Sequence, residues 1–269
     1  MSDDARTAEA FATSWNHIGS VYTRAQFDEW MEPLSAADFA GGEVLELGFG
    51  NGSLLAHAAR LAPRRLAGIE LGDTLARTRQ HLADVPPGIL DLHRGDLTTA
   101  SLGEFDLVYC IGVLHHLAEP GRGFEAVLRH TRPGSRFHCW VYAHEGNAIV
   151  RWLVDPIRRA VSRLPWWLTK YAVALPLVVP YFLYAKLVRH VPAFARRFPL
   201  GAYTLWIARE PFRFFHHVAF DQLVTPRTVY LRRTLIDEWL RDPRVDPTSV
   251  YVIHRNGNSW KFGGKRRRA

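Results

Sequence analysis

The fold is decided by residues 44–52, which read Val44-Leu45-Glu46-Leu47-Gly48-Phe49-Gly50-Asn51-Gly52. The apolar run predicts a buried strand that leads directly into three glycines at alternate positions. Such a turn brings bare backbone close to a ligand, because a Cβ atom would obstruct the approach. Many doubly wound sheets bind nucleotides at a turn of this kind. The stretch therefore predicts a ligand site at the end of the first strand.

Beyond this turn, apolar strands alternate with helical segments as far as residue 142. The predicted strands are 43–47, 65–70, 89–93, 105–111 and 136–142, and the predicted helices are 51–61, 73–83 and 120–131. This alternation with short links predicts a parallel sheet with helices on both faces. Near the C-terminus, we expect a helix at 235–241 and strands at 250–255 and 260–263. Asn256-Gly257-Asn258, between the last two strands, is a strong hairpin signal.

Composition and charge limit the environment of the chain. Its 269 residues include 34 Lys and Arg against 26 Asp and Glu, a net charge of +8 that favours acidic partners or an anionic membrane surface. Cys110 and Cys139 lie in apolar, strand-like runs and are expected to be reduced core residues. The first residues carry no apolar segment typical of a secretory signal, so we expect a cytoplasmic protein.

Four regions follow from the pattern. Residues 1–40, which are aromatic and helical in character, are expected to form a lid. Residues 41–145 form the predicted core, and residues 227–269 supply the final helix and hairpin. Residues 146–226 interrupt the core as an insertion rich in aromatic residues, prolines and basic residues.

The acidic and glycine positions resemble those of class I S-adenosylmethionine (SAM)-dependent methyltransferases of the small-molecule type. The resemblance covers about residues 40–142 and the C-terminal hairpin, and it starts with Glu46-x-Gly48-x-Gly50-x-Gly52. Dinucleotide dehydrogenases usually carry G-x-G-x-x-G, whose last position here is Ser53. The resemblance implies an α/β, Rossmann-like seven-stranded sheet with six parallel strands, an antiparallel C-terminal strand and helices on both faces, with SAM as cofactor.

The same resemblance assigns roles to individual residues. Glu70, at the end of the second strand, would accept the ribose hydroxyls, and Asp96 would bind the adenine amino group, with Leu97 packing on the ring. The full cofactor-binding set is Glu46, Gly48, Gly50, Gly52, Glu70, Asp96, Leu97, Ile111 and Gly112. The Asn/Asp-Pro-Pro-Tyr/Phe tetrapeptide of exocyclic-amine methylases is absent from the sequence. This absence disfavours methylation of nucleobase nitrogens.

Methyl transfer to a hydroxyl or an acidic carbon needs alignment and a base, and histidine is the natural base near neutral pH. The candidate catalytic residues are His115, His116, His144, His216 and His217. Each could instead have a packing or capping role. The candidate acceptor-binding residues are Trp15, Tyr22, Tyr142, Trp166 and Tyr181. No metal site is predicted, because no cysteine or carboxylate spacing supports one.

The insertion contains an uncharged segment at 171–185 between clusters of basic residues. The segment is expected to be too short and too interrupted by proline for a membrane-spanning helix. Its aromatic and basic flanks are typical of a segment at the surface of an anionic membrane. A buried helical cap over the acceptor pocket would have the same composition. Both interpretations predict an apolar acceptor, and an uncharged stretch of this length makes nucleic acid an unfavourable partner.

The predicted reaction is methyl transfer from SAM to an oxygen or carbon of a small hydrophobic or lipid-linked acceptor. Two alternatives stay open at this point. One is a nicotinamide-dependent oxidoreductase, and the other is a catalytically inactive SAM-binding protein associated with a membrane. The sequence does not define the oligomeric state, and any membrane contact is expected to be peripheral, at the inner face.

Overall fold

The computed structural model describes residues 3–17 and 22–268. Residues 1, 2 and 18–21, which belong to the predicted lid, lie outside the described part, as does residue 269. Within it, seven strands form one sheet in the order β3-β2-β1-β4-β5-β7-β6. The strands are β1 Glu43–Leu47, β2 Arg65–Glu70, β3 Leu90–Arg94, β4 Phe105–Ile111, β5 Thr131–Tyr142, β6 Tyr251–Arg255 and β7 Ser259–Lys265.

The predicted fold class is confirmed. β1 to β5 pair in parallel, and β7 is antiparallel to both β5 and β6, so six strands share one direction. Asn256 and Gly257 have φ angles of 52° and 68°, the positive values that a type I′ hairpin turn requires. β5 starts at Thr131, earlier than the predicted residue 136, because it begins where the preceding helix ends.

Helices cover both faces of the sheet and build the insertion. In chain order they are α1 Asp3–His17, α2 Arg24–Met31, α3 Ser53–Ala59, α4 Leu75–His81, α5 Pro120–His130, α6 Asp155–Val161, α7 Trp166–Leu168, α8 Leu175–Val188, α9 Pro192–Ala195, α10 Gly201–Ile207, α11 Phe212–Val224 and α12 Arg233–Trp239. Short 3₁₀ turns lie at Ala36–Asp38, Pro87–Ile89 and Leu114–His116.

Side-chain alternation along the strands produces two cores. Leu45 and Cys110 point to the face covered by α5 and α12, whereas Val44 and Tyr109 point to the face covered by α2 and α3. Cys110 and Cys139 are buried and unbridged, as expected for reduced core residues. Both faces of the sheet are therefore covered by helices. The edge at the carboxyl ends of the strands is where a ligand site is expected.

The N-terminal helices lie across that carboxyl edge. At one end of α1, the Asp4 carboxylate accepts the Ala118 N–H at 2.6 Å, and at the other end the Asn16 amide donates to the Asp73 carbonyl at 3.0 Å. α2 is held by the buried Lys261 ammonium, which donates to the Glu29 carbonyl at 2.9 Å. The two hydrogen bonds of α1 connect the loop after β4 to the loop after β2.

The main helix of the insertion is longer than the sequence predicts. α7, a π-helical segment at Thr169–Ala174 and α8 form one continuous helix over Trp166–Val188. The expectation that proline breaks this segment is wrong. Pro176 sits in the first turn of α8 and Pro180 lies inside it. The adjoining π-helical residues change the hydrogen-bond register just before the prolines, which is one way a helix accommodates them.

A close backbone contact fixes the loop after β5 to the C-terminal hairpin. Gly146 has a φ of 77°, and a Cβ atom built on it would overlap the carbonyl oxygen of Gly257. The neighbouring Asn147 amide donates to the carbonyls of Ala143 and Asn258 at 2.7 and 2.6 Å. Only glycine at 146 permits both the backbone angle and this approach.

We predict that Gly146→Ala destabilises the protein more than Gly257→Ala, a matched control. Both glycines have positive φ angles, but a Cβ atom at 257 meets open space. In the control, the free energy of unfolding should fall by about 1–2 kcal/mol, because alanine is strained in the left-handed region. Gly146→Ala should lose a further ~1–3 kcal/mol from overpacking. Urea denaturation of the three proteins at one pH measures the difference, and equal losses would show that the contact is not a constraint.

Candidate active site

A cavity lies at the carboxyl edge of the sheet, between the strand ends, α1 and the insertion. The sheet side contributes Glu46, Gly48, Phe49, Gly50, Asn51, Ser53, Leu54, Glu70, Leu71, Ile111, Gly112, Val113, His115, His116, Leu117, Trp140 and Tyr142. The opposite side contributes Asp4, Thr7, Ala8, Phe11, Trp15, Tyr22, Trp30, Tyr203, Trp206, Phe214, His217, Val218, Asp221, Gln222 and Thr228, with Arg255 and Asn258 from the hairpin. Open α/β sheets bind their ligands at this edge.

The glycine turn forms the floor of one end of the cavity. Gly48, Gly50 and Gly52 all have positive φ angles, at 80°, 55° and 78°. A Cβ atom on Gly50 would lie 3.3 Å from the Trp15 indole nitrogen, which shows how closely α1 approaches the turn. Gly52 faces Thr78 and does not line the cavity. The exposed backbone therefore belongs to Gly48 and Gly50.

Glu70 links β2 to the glycine turn. One carboxylate oxygen accepts the Gly50 N–H at 2.9 Å, and the other accepts the Gly72 N–H at 2.8 Å. Burial raises the pKa of this carboxyl, and the backbone N–H donors oppose the rise. A carboxylate has about four acceptor sites, so each oxygen can still accept a ligand hydroxyl.

Glu46 is a second acidic group beside the turn, and its side chain is 1% exposed. Its carboxylate accepts the Tyr109 hydroxyl at 2.9 Å. Burial raises the pKa of Glu46 to about 8; the Tyr109 hydrogen bond lowers it, and the nearby Glu70 raises it further. A cationic ligand would stabilise the ionised form of both carboxyls.

Asp96 and Leu97 follow β3 but do not line the cavity. One oxygen of Asp96 accepts the backbone N–H and the hydroxyl of Thr98 at 2.8 and 2.7 Å. Leu97 is buried in the core cluster on the α5 side of the sheet. Ile111 and Gly112, by contrast, lie at the cavity wall as the resemblance implies.

The structure separates the five candidate histidines into two groups. His115, His116 and His217 line the cavity, whereas His144 and His216 do not. His216 points away from the cavity and donates to the Lys170 carbonyl at 2.8 Å. His116 donates from Nδ1 to the Arg227 carbonyl at 3.0 Å, and burial lowers its pKa to about 3.

His115 is fully buried and presents one ring nitrogen without a partner. Its Nδ1 accepts the Tyr142 backbone N–H at 3.4 Å, which places the proton of the neutral ring on Nε2. Nε2 has no hydrogen-bond partner among the described residues. Burial, reinforced by His116 and Arg158, lowers the pKa of His115 well below its ordinary value. The residue is therefore a neutral N–H donor facing the cavity.

His217 is the second buried imidazole, with 3% exposure. Its Nε2 lies 3.6 Å from an Asp221 carboxylate oxygen one helical turn later. Neither ring nitrogen makes a hydrogen bond within the described part of the chain. The Trp15 ring lies 5.2 Å away, so His217 stands near the glycine turn. With Nε2 directed toward Asp221, Nδ1 can hold a free lone pair.

Three of the five candidate acceptor-binding side chains line the cavity, namely Trp15, Tyr22 and Tyr142. Trp166 and Tyr181 lie elsewhere. Trp166 packs in a cluster around Phe220, and the Tyr181 hydroxyl lies 3.0 Å from the Thr204 hydroxyl. Both belong to the framework of the insertion.

Sequence reasoning missed Trp140, Trp206 and Arg255. Trp140 precedes Tyr142 by two residues in β5, and this spacing places both on one face, a signal that was available. Arg255 is 7% exposed, with its guanidinium 4.6 Å from the Trp206 ring and 2.9 Å from Glu29. Nothing in the sequence of a polar hairpin strand indicates such burial. No metal-binding group of three or more His, Cys, Asp or Glu occurs in residues 3–17 and 22–268.

Comparison with known proteins finds a family match for part of the chain. A family model described as a methyltransferase domain matches residues 45–139, which run from β1 into β5. Among curated relatives, an uncharacterized protein of Synechococcus is 33% identical over 121 residues, covering 42% of this chain and 28% of that protein. A ubiquinone biosynthesis O-methyltransferase of Aromatoleum aromaticum is 31% identical over 104 residues, covering 37% and 44%. The chain thus spans less than half the length of these curated relatives.

A solved structure supports the fold beyond the matched domain. An O-methyltransferase family protein from Burkholderia thailandensis superposes with a TM-score of 0.53 at 15% identity, covering 90% of this chain and 56% of that chain. At this identity the likeness concerns the fold alone.

The pKa of Glu46 predicts a pH-dependent affinity for SAM, whose ammonium and sulfonium groups are cationic. Below pH 8 the free protein holds a proton on Glu46 that the cation displaces, since the folded-state pKa is raised to about 8. Affinity should rise by up to about tenfold per pH unit between pH 6 and about 7.5, below the range of about 7.7–8.0 in which an α-ammonium such as that of SAM loses its own proton. Calorimetry between pH 6 and 7.5 measures this, and Glu46→Gln should flatten the dependence. Equal affinity of the unmodified protein at pH 6 and 7.5 would contradict the assignment.

The match from β1 into β5 also explains why the acidic side chains and the glycine turn share one edge of the sheet. Over residues 45–139, the chain matches the methyltransferase domain family.

Proposed function

We propose that the protein transfers a methyl group to an oxygen of a small hydrophobic acceptor. The observation that carries the proposal is the continuity of the cavity, which joins the glycine turn to an aromatic chamber holding two buried histidines. Several curated relatives are ubiquinone biosynthesis O-methyltransferases, which favours oxygen over carbon as the acceptor atom.

The residues beside the turn fit SAM. Glu46 and Glu70 are acidic groups suited to a cation and to ribose hydroxyls, and Gly48 and Gly50 leave room for close approach. When bound, SAM supplies an electrophilic methyl group on a sulfonium. The chain itself contributes binding, orientation and a shielded environment. Asp96 remains a candidate adenine contact, although it does not line the cavity.

The acceptor chamber is suited to a flat, apolar ring. The ring centroids of Trp140 and Tyr142 lie 5.2 Å apart on one wall. Those of Trp30 and Tyr22 lie 4.7 Å apart on another. Aromatic side chains offer large apolar area and edge-to-face packing to a ring. Arg255 adds a buried guanidinium that is paired with Glu29 and has further N–H donors for an oxygen of the acceptor. An alkyl or prenyl tail on the ring would extend along the apolar insertion.

The two histidines have different roles in this proposal. His115 donates from Nε2 and orients the acceptor oxygen, since its Nδ1 already accepts the Tyr142 N–H. His217 receives the acceptor proton on Nδ1, while Asp221 stabilises the imidazolium through Nε2. Both lie in a buried chamber where water competes little for these contacts. The nicotinamide alternative loses its support, because the matched family model is a methyltransferase domain.

We predict that Glu70→Gln weakens SAM binding by about 10–100-fold, because hydrogen bonds to a charged acceptor contribute roughly 1.5–3 kcal/mol. Glu119→Gln, at an exposed acid outside the cavity, serves as the control. Calorimetry with SAM and with S-adenosylhomocysteine gives both dissociation constants. Unchanged binding in Glu70→Gln would rule out the proposed ribose contact.

We predict that His217→Ala lowers turnover by about 10²–10⁴-fold, the usual contribution of a general base. His216→Ala is the matched control, because its side chain lies outside the cavity on the same helix. Alkyl-substituted phenols and catechols with methyl-labelled SAM provide the assay, read by mass spectrometry. In the control, turnover should stay within about twofold. If His217→Ala also stays there while SAM binding is intact, alignment alone drives the reaction and the base assignment fails.

A further inference from the structure

The positive charge of the chain is concentrated in the insertion. Residues 156–209 contain nine Lys and Arg and no Asp or Glu, in a protein whose net charge is +8. Exposed cations in this stretch are Arg159, Arg163, Arg189, Arg196, Arg197 and Arg209. A field of one sign over so long a segment attracts a polyanionic surface and repels a second copy of itself.

The same region carries nearly all the exposed large apolar side chains of the described residues. Apart from Val250 and Ile253, they all lie between residues 149 and 198. Trp152 is 80% exposed, Leu187 71% and Leu183 62%. An apolar surface of this extent rimmed by charge is typical of an interaction site and costs free energy in water.

The helix Trp166–Val188 lies on the domain with one side buried. Val178 and Ala185 pack against α11, whereas Leu183 and Leu187 face outward on the other side. The Lys186 ammonium is also held, donating to the carbonyls of Ala208 and Glu210 at 2.7 and 2.8 Å.

This helix is long and apolar enough to cross a membrane by length and composition. A spanning position would require it to leave α11 and would break the hydrogen bonds of Lys186 to the carbonyls of Ala208 and Glu210. A position in the plane of the interface keeps these contacts and covers only the outward side.

We propose that the outward side of the insertion, residues 149–198, docks on an anionic lipid bilayer. The exposed apolar side chains enter the boundary between headgroups and acyl chains, and the arginines pair with lipid phosphates. Trp167 and Tyr171, which are 54% and 53% exposed, are side chains of the kind enriched at that depth. Docking needs no SAM and no acceptor, so it stands independently of the proposed reaction.

The test is co-sedimentation of the full chain with vesicles of phosphatidylcholine alone or with 30% phosphatidylglycerol, at about 50 and 500 mM salt. Binding to the anionic vesicles at low salt is expected, with a loss of most binding at high salt. Leu183→Glu combined with Leu187→Glu should reduce the bound fraction at least ~10-fold, since charges enter the apolar boundary at a high cost. Val250→Glu combined with Ile253→Glu makes the same chemical change outside the insertion and should leave binding unchanged.

A second matched pair isolates the charge. Arg196→Gln with Arg197→Gln should weaken binding to anionic vesicles, whereas Arg267→Gln with Arg268→Gln, at exposed tail positions, should not. Light scattering without lipid reports on self-association. A protein that stays in the supernatant at low salt, or one that forms a stable dimer dispersed by the Leu183 and Leu187 substitutions, would overturn the proposal. Folding of each variant is checked by SAM affinity, which docking does not require.

Discussion

The arrangement of the site depends on one constraint, the bare backbone between β1 and α3 that faces the buried carboxyl of Glu46 and the partly buried carboxyl of Glu70. A side chain at Gly50 would meet Trp15, and the Gly50 amide is already held by Glu70 at 2.9 Å. The turn, the end of β2 and the N-terminal helix are therefore positioned against one another. Ionising both Glu46 and Glu70 costs free energy in the absence of a cation, as the raised pKa of Glu46 shows. The site thus exchanges folding stability for affinity toward a positively charged ligand.

Much of the fold could be predicted because its signals are local. The bounds of β1, β2 and β4 follow from apolar runs that end in glycine or acidic residues, and the hairpin follows from Asn256-Gly257. The long helix of the insertion was not predicted, because proline usually breaks a helix. In the structure, tertiary packing and a π-helical segment accommodate Pro176 and Pro180. The start of β5 was missed because Pro133 and Gly134, which lie inside the strand, are residues typical of a turn.

The site was predicted where residues lie next to the motif and missed where distant segments meet. The glycine turn, Glu46 and Glu70 are encoded within the first two strands, so pattern alone finds them. The histidines could be named from the sequence but not ranked, because His216 and His217 differ only in the direction they face. Arg255 and Trp206 come together from the hairpin and the insertion, at 4.6 Å, a contact that no linear pattern encodes.

The attachment of α1 at both of its ends has a kinetic meaning. Asp4 binds the loop after β4, Asn16 binds the loop after β2, and Trp15 between them reaches the glycine turn. One helix thus roofs the nucleotide end and the acceptor end of the same cavity. Opening it uncovers both compartments at once, so entry and exit become events of a single gate. In the proposed reaction, displacement of this one helix would admit both substrates and release both products.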